Sequence, residues 1–314
     1  MKGLYMTDRG IALLLVLWVL TVLMVIVFAF SFSTRVETYS TISFKEGMEK
    51  RFIAQAGIER GIMEINYSRR FQNIPEKEAW RLDGTPYAGE FGKGHYEIRI
   101  IDENGKVDIN TAPEVLLRNM LVQLGLKNED SDAIVDAIMD WKDADDLKRL
   151  NGAESDYYMA LPNPYKAKNA NFDSVEELIF VKGITPEILY GNNGKKGLIE
   201  FITVHSRSQQ VSINSAPREV LLSVPGLSQE IVDNIMSYRK DKRIANPSEV
   251  GVPTESNQYL SYMDSGTFTI DSTGFLDNGK GGYTIRATVL LEGDKYRYVY
   301  YKSPFMDRKW QQGY

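Results

Sequence analysis

From Ile11 to Thr34 the chain carries no charged residue, and the run IALLLVLWVLTVLMVIVFAFSF is almost wholly apolar. A helix rises 1.5 Å per residue, so about 20 such residues cross the roughly 30 Å hydrocarbon core of a bilayer. The apolar part of a cleaved secretory signal covers only about 7–15 residues and ends at an A-x-A site. No such site stands near Ser31 to Ser33. The run reads as a membrane-spanning helix, either a plain signal anchor or a stem processed at its N-terminal end. With 314 residues, the chain can hold this anchor and one or two globular units.

Charged residues at 25% and apolar ones at 43% suit a folded protein rather than a disordered one. There is no cysteine, which excludes disulfides and thiolate metal sites. Only His95 and His205 could serve a zinc centre or a His-based nucleophile, and neither has an evident partner. The chain is therefore not read as an enzyme, and no catalytic residue is assigned. The formal net charge of −5 argues mildly against a phosphate-binding surface.

Residues 1–10, MKGLYMTDRG, form a short polar leader with Lys2 and Arg9, and Gly10 stands directly before the apolar run. This resembles the leaders of type IV pilins and pseudopilins, which the prepilin peptidase cuts after the glycine on the cytoplasmic side. The resemblance implies that Gly10 ends the leader and Ile11 becomes a methylated N-terminus. Taken alone, Gly10 reads better as an incidental residue before a helix; the basic leader and the long apolar helix together give it weight. Most pilins carry a glutamate at the fifth mature position, where it can pair with a neighbour's terminal ammonium; here that position is Leu15. An isolated carboxylate in lipid is costly and is kept where it has a partner. A subunit with nothing ahead of it in a filament needs none, and the same departure is the habit of K-type minor pseudopilins.

Past the apolar run, Ala54, Ile58, Ile62 and Ile65 recur at helical spacing, with Glu59, Arg60 and Glu64 between them. A continuous helix from Ile11 to about Asn66 would be roughly 84 Å long, half of it a spine for a head. TYSTIS (residues 38–43) and Gly47, Gly57 and Gly61 are weak helix material, so bending or local melting is expected there.

Residues 94–110 read as a strand, HYEIRIID, a turn on Asn104-Gly105, and a second strand, VDIN. Residues 266–303 read as an antiparallel meander of three strands, TFTIDSTGFL, GYTIRATVLL and KYRYVYYK. Helical signals fill the stretch between them, about residues 112–262, which suggests a small sheet with a large helical insertion. The insertion contains a repeat, VDINTAPEVLLRNM from Val107 and VSINSAPREVLLSV from Val211. Thr111 or Ser215 is expected to cap each helix, with Pro113 or Pro217 in its first turn. Turns at Gly125 and Gly226 lead to second helices, AIVDAIMDW and EIVDNIMSY, and SVEELIFVKGITPEIL is a looser third copy turning at Gly183.

These are helix-hairpin-helix signatures. In DNA-binding versions the hairpin reads Gly-x-Gly, and its backbone N–H groups meet a phosphate. Here Lys127, Thr185 and Ser228 replace the second glycine, and no Lys/Arg stripe flanks them. The units are read as packing elements, and no nucleic acid is expected as a partner.

The segment from Asp140 to Thr185 resembles the inserted α-domain of type II secretion K subunits. The matching pieces are Asp140-Trp141-Lys142-Asp143-Ala144-Asp145, Gly152-Ala153-Glu154, Tyr157-Tyr158, Pro162 to Tyr165, and Ser174 to Leu178. With the leader, Leu15 and the repeats, the resemblance to the GspK family covers nearly the whole chain. It implies an α+β fold, with a pilin-like long N-terminal helix, a small antiparallel sheet, and a large inserted α-helical domain of helix-hairpin-helix-like (SAM-like) repeats. The expected division is a leader (1–10), a transmembrane helix (11–34), a periplasmic spine (35–70), a first head part (71–111), an inserted domain (112–262) and a C-terminal sheet (263–314).

The resemblance also implies a minor pseudopilin at the tip of the type II secretion pseudopilus, anchored in the inner membrane with its N-terminus cytoplasmic and its head periplasmic. The implied partners are the I- and J-type minor pseudopilins, the major pseudopilin, the prepilin peptidase and inner-membrane lipid. The competing readings are a minor pilin capping a type IV pilus and a membrane-anchored DNA-uptake receptor.

Asp140, Asp143, Asp145 and Asp146, with Glu154 and Asp156 downstream, could gather the oxygen ligands that Ca²⁺ takes. The spacing is not that of an EF-hand. The same residues read slightly better as a solvated loop that caps the next helix and pairs with Lys148 and Arg149. Trp141, Tyr157, Tyr158 and Tyr165 are expected as core or interface anchors. Tyr296, Tyr298, Tyr300 and Tyr301 suit a sheet face or a pairing edge.

Overall fold

The computed structural model describes residues 8–71, 79–192, 194–277, 281–293 and 295–306, with side chains from Ala12 onward. Residues 1–7 of the expected leader, residues 72–78 of the first head part, positions 278–280 and 294 in the expected turns, and residues 307–314 lie outside the described residues.

One helix, α1 (Asp8–Arg70), runs for 63 residues, about 94 Å at 1.5 Å per residue. It ends four residues beyond the expected Asn66 and passes through residues 38–43 without the expected melting. Thr34, Thr38 and Thr41 donate their hydroxyls to the carbonyls of Phe30, Thr34 and Glu37 at 2.8–2.9 Å. Those bonds within the helix satisfy the groups that would otherwise compete with it. Between Leu13 and Phe32 the apolar side chains stand exposed. Among the described residues, α1 is the one helix long and apolar enough to cross a membrane.

The strands, in chain order, are β1 (Asp83–Phe91), β2 (Gly94–Asp102), β3 (Val107–Asp108), β4 (Ile202–Thr203), β5 (Val211–Ser212), β6 (Leu260–Ser261), β7 (Thr267–Leu276), β8 (Tyr283–Glu292) and β9 (Lys295–Lys302). The long ones form a five-stranded antiparallel sheet in the order β1-β2-β7-β8-β9. The C-terminal meander is as expected. β1 was not expected: its sequence, DGTPYAGEF, carries two glycines and a proline, which are depleted in strands. It is tolerated as an edge strand.

Ala54, Ile58, Ile62 and Ile65 of α1 are buried on this sheet with Ile98, Ile100, Ile270 and Val289 in one apolar core. Gly57 permits the close approach. A Cβ there would overlap Ser272 Oγ and stand 3.3 Å from Ile98 Cγ1.

Asn104-Gly105 does not make the expected hairpin. Neither residue has the positive φ that a two-residue hairpin turn requires. They lie in a 3₁₀ turn, Glu103–Gly105, whose Asn104 N–H is held by the Asp102 carboxylate at 3.0 Å. The chain leaves the sheet there, and β3 pairs in parallel with β4 instead. It returns at Thr267, so the helical body is inserted between two adjacent strands, with Asp102 opposite Phe268.

The register of β7 on α1 places this junction. Ile270 lies against Gly61, Ser272 against Gly57, and Gly274 against Lys50 and Ala54. β7 therefore starts near the C-terminal end of α1 and runs back toward the stem. Arg69 reaches Asp264 at 3.9 Å, just before that start. The insertion is joined at the end of the spine remote from the apolar stem.

Two buried carboxylates fasten the junction. Asp102 accepts from the Ser265 N–H and hydroxyl at 3.2 and 2.7 Å and from the Ser215 hydroxyl at 3.2 Å. Burial, only partly offset by these donors, raises its pKa to about 6. Glu103 accepts from Thr269 Oγ1 at 2.8 Å, from Lys106 Nζ at 3.0 Å and from Thr203 Oγ1. Burial opposes its ionisation, but Lys106 and the two hydroxyls outweigh it and hold its pKa low.

The helices of the insertion are α2 (Glu114–Gln123), α3 (Asn128–Lys142), α4 (Ser155–Met159), α5 (Pro186–Tyr190), α6 (Arg218–Ser223) and α7 (Gln229–Tyr238). They enclose a second apolar core that includes Leu116, Ile138, Tyr158, Phe201 and Ile235. α2 and α3, and α6 and α7, are each joined through a left-handed glycine, Gly125 (φ 93°) and Gly226 (φ 85°). At Gly183 (φ 86°) the leading element is a 3₁₀ helix, Val175–Phe180.

The repeat is used twice in the same way. The Asn110 side chain bonds the Phe172 N–H and C=O at 2.8 and 3.0 Å, and Asn214 does the same to Ile244 at 2.8 and 3.0 Å. Lys142, at the end of α3, donates to the carbonyls of Ile109 and Asn110, both at 3.0 Å. Arg239, just past α7, donates to those of Ile213 and Ala216 at 3.2 and 2.7 Å. The expected caps are corrected. The Thr111 hydroxyl donates to Ser208 O and that of Ser215 to Asp102, so neither caps a helix. Pro113 and Pro217 occupy the capping positions, with no side-chain bond.

Candidate functional site

The acidic loop begins where α3 ends. Asp140 is fully buried, and its carboxylate accepts the Arg149 N–H at 3.2–3.3 Å, with Arg149 Nε 3.8 Å away. A side chain on Gly152 would overlap that carboxylate. Asp140 therefore folds the loop back on α3. Asp156 is exposed, and its carboxylate accepts the Tyr157 N–H at 2.7 Å. Asp146 is exposed as well. Of the six residues expected as ligands, the fold brings three together: one carboxylate oxygen from each of Asp143, Asp145 and Glu154 lies within 4.8 Å of the others.

The electrostatics of this triad are unusual. Glu154 is only 3% exposed, and neither of its oxygens has a hydrogen-bond partner. It stands at the N-cap position of α4 but caps nothing with its side chain. Burial first, then the charges of Asp140, Asp143, Asp146 and Asp145, push its pKa up to about 7. Asp143 Oδ1 is buried without a partner too. Its pKa is raised by burial and by Asp145 and Asp140, against the pull of Arg149 and Lys142. The expected pairing with a cation is met only at Arg149, which also bonds Glu114 at 2.9 Å.

Asn169 was not singled out in the sequence, and nothing in its local pattern marks it. Its Oδ1 is buried without a partner, and its φ is 49°. Its N–H donates to Trp141 O at 3.0 Å, while the N–H of nearby Ala167 donates to Ser155 Oγ at 3.2 Å. Residues 167–169 are thus fastened to Trp141 and Ser155, which lie two positions and one position along the chain from Asp143 and Glu154. Orphaned carboxylate and amide oxygens, with no soft donor among them, fit a hard divalent cation of the Ca²⁺ type.

Trp141, Tyr158 and Tyr165 are anchors, as expected, whereas Tyr157 stands exposed. Trp141 meets Tyr158 edge-on at 5.1 Å, and Tyr158 stacks on Tyr165 at 5.2 Å. Tyr158 is fully buried, its hydroxyl accepts the Lys182 N–H at 3.2 Å, and burial raises its pKa to about 12.

At the hairpin turns, the hydroxyls of Thr185 and Ser228 accept the N–H groups of Ile188 and Ile231 at 3.3 and 3.2 Å. On β9, an irregularity in the pairing between Thr288 and Val289 shifts the alternation. Tyr296, Tyr298 and Tyr301 then all reach α1, the first two at Glu59 and the third at Gln55, over 2.8–3.2 Å. Of the processing residues, Gly10 and Ile11 fall within the backbone of α1. Leu15 is exposed on the stem.

A long helix with an apolar stem, laid along an antiparallel sheet, defines a protein of the pilin-like class. Residues 96–190 match the family model described as type II secretion system (T2SS), protein K. The type II secretion system protein K of Pseudomonas aeruginosa is 28% identical over 195 residues, covering 58% of this chain and 56% of that protein. That of Pectobacterium carotovorum is 28% identical over 198 residues, covering 58% of this chain and 60% of that protein. The alignments thus span less than two thirds of these relatives' own lengths. Among solved structures, a chain in the crystal structure of the GspK-GspI-GspJ complex from enterotoxigenic Escherichia coli is similar in fold. It has a TM-score of 0.59 at 16% identity, over 85% of this chain and 99% of that one. Over these residues the chain is similar to the type II secretion protein K family.

Proposed function

We propose that this protein is a minor pseudopilin that caps the tip of the type II secretion pseudopilus and supports its assembly. The observation that carries this reading is the register of α1 on β7, which joins the bulky insertion at the end of the spine farthest from the stem. A body of that size in that place obstructs a further subunit above it. Leu15, where pilins carry a glutamate, removes the group that would pair with a subunit ahead. The peptidase cuts after Gly10, Ile11 becomes the methylated N-terminus, and the stem crosses the inner membrane with the head in the periplasm. The I- and J-type minor pseudopilins bind beside it, with the major pseudopilin below.

The hairpin units, helix-hairpin-helix in pattern, pack the insertion rather than bind DNA. Their Thr185 and Ser228 hydroxyls already take N–H groups that a DNA-binding hairpin offers to phosphate. Co-expression with tagged I- and J-type subunits tests the reading, with co-purification of the full chain expected. Recovery of the chain alone, or salt-sensitive binding of a DNA duplex in a gel shift, contradicts it.

The orphaned oxygens of Glu154, Asp143 and Asn169 favour one addition. Asp143, Asp145 and Glu154 hold a Ca²⁺ ion that fixes the loop, with Asn169 placed to supply a neutral oxygen. Asp140 acts through the backbone, and Asp146 and Asp156 add charge from outside the triad. The ion supplies a structural counter-charge and no chemistry. A melting temperature unchanged by chelator would remove it.

A further inference from the structure

Outside α1, the two most exposed large apolar side chains among the described residues are Leu150, at 92%, and Leu147, at 78%. They stand three residues apart on the acidic loop, and that loop is held rigidly. Alternate N–H groups along it are donated to carboxylates: Leu147 to Asp145 at 2.8 Å, Arg149 to Asp140 at 3.2 Å, and Asn151 to Asp136 at 3.1 Å. Lys182 Nζ ties the loop's far end, donating to the carbonyls of Asn151 and Gly152 at 3.0 and 3.1 Å while lying 5.1 Å over the Tyr157 ring. Lys182 thus links the loop to α4, where Tyr157 and Met159 are also exposed.

Fixed leucines in water cost free energy that only burial recovers. A preformed loop spends little entropy when it binds. Contiguous exposed apolar surface of this kind marks an interaction site. Its rim decides the partner. Asp145, Asp146 and Asp156 are exposed around it against Lys148 in the loop and half-buried Lys182, whose ammonium is held by two carbonyls, while Arg149 is paired with Glu114 and Asp140. Such a field repels anionic lipid headgroups and attracts basic groups.

We propose that this face receives a basic amphipathic segment of a partner protein. The partner's apolar side packs on Leu147, Leu150, Tyr157 and Met159, and its lysines or arginines meet Asp146 and Asp156. This is recognition by apolar anchors at helical spacing with a charged rim. It shares Asp145 with the cation reading, but the two leucines, Asp146 and Asp156 lie outside the metal triad.

The test uses the full chain in phosphatidylcholine nanodiscs, in chelator, with empty discs as the blank. The probe is a short fluorescent leucine–lysine peptide whose leucines share one helical face. Its scrambled isomer and a leucine–glutamate version serve as controls. Saturable binding at micromolar peptide is expected, with both controls at least about tenfold weaker. The pair Leu147→Ser/Leu150→Ser should weaken binding about tenfold or more without lowering the melting temperature. Asp146→Asn/Asp156→Asn should weaken it by about threefold and flatten its salt dependence. Equal binding by the leucine variant or by the glutamate peptide overturns the proposal. So does leucine-dependent capture by phosphatidylglycerol vesicles in place of the peptide, which would make the loop a lipid contact.

Discussion

Gly57→Ala tests whether the spine and the sheet pack as closely as the register requires. In an isolated helix this change stabilises by about 1 kcal/mol. Here the new methyl overlaps Ser272 Oγ, and it sits 3.2 Å from Ser272 Cβ and 3.3 Å from Ile98 Cγ1. Ser272 is fully buried, and its hydroxyl has no partner, so it has no open space to move into. Overpacking of this kind costs about 1–3 kcal/mol, which outweighs the helix gain and leaves a net loss of up to about 2 kcal/mol. Ser272→Ala removes both the overlapping atom and an unsatisfied buried hydroxyl, so alone it should stabilise by about 1 kcal/mol. Combined with Gly57→Ala it should restore most of the loss, a coupling of about 1–2 kcal/mol. Thermal melting of the full chain in detergent reads the effect as a shift of a few degrees, and hydrogen exchange along β7 assigns it to the head. A higher melting temperature for Gly57→Ala, with no coupling to Ser272→Ala, would refute the packing.

Calcium should raise the melting temperature, and Glu154→Gln should remove that gain while leaving the chelated protein at least as stable as wild type. The raised pKa of Glu154, about 7, means that the apo fold favours the neutral acid. Apo stability should therefore fall as pH rises from the ordinary glutamate range toward 7 and beyond, while the calcium-induced gain grows over the same window. A gain independent of pH argues against Glu154 as a ligand. Asn110→Ala and Asn214→Ala should each lower stability by about 2–4 kcal/mol in chemical denaturation, because each leaves a buried N–H and C=O without its partner. A loss from only one of them would break the equivalence of the two repeats. Gly10→Ala should leave the leader attached, and an intact mass that still begins at Ile11 would end the processing reading.

Much of the fold was legible because it rests on periodicity. The spacing of Ala54, Ile58, Ile62 and Ile65 named the face that the sheet covers, and the alternation in residues 266–303 named three of its strands. What failed depended on distant partners. Asn104-Gly105 carries a hairpin signature, but Asp102 and the parallel pairing of β3 with β4 redirect the chain. Thr111 and Ser215 stand where caps belong, yet Ser208 and Asp102 claim their hydroxyls across the fold. At the acidic loop the sequence supplied six carboxylates with no means of sorting them. Burial and backbone bonding sort them, sending Asp140 inward to Arg149 and leaving Glu154 without a donor. Asn169 was invisible, because its place depends on a backbone bond to Trp141.

The placement of this subunit in the fibre is tested most directly by locating it there. Purified pseudopili carrying a gold-tagged version of the chain should show one label per fibre, at one end. Labels repeated along the shaft would contradict the account, because an insertion joined at the far end of the spine would then be accommodated within the stack.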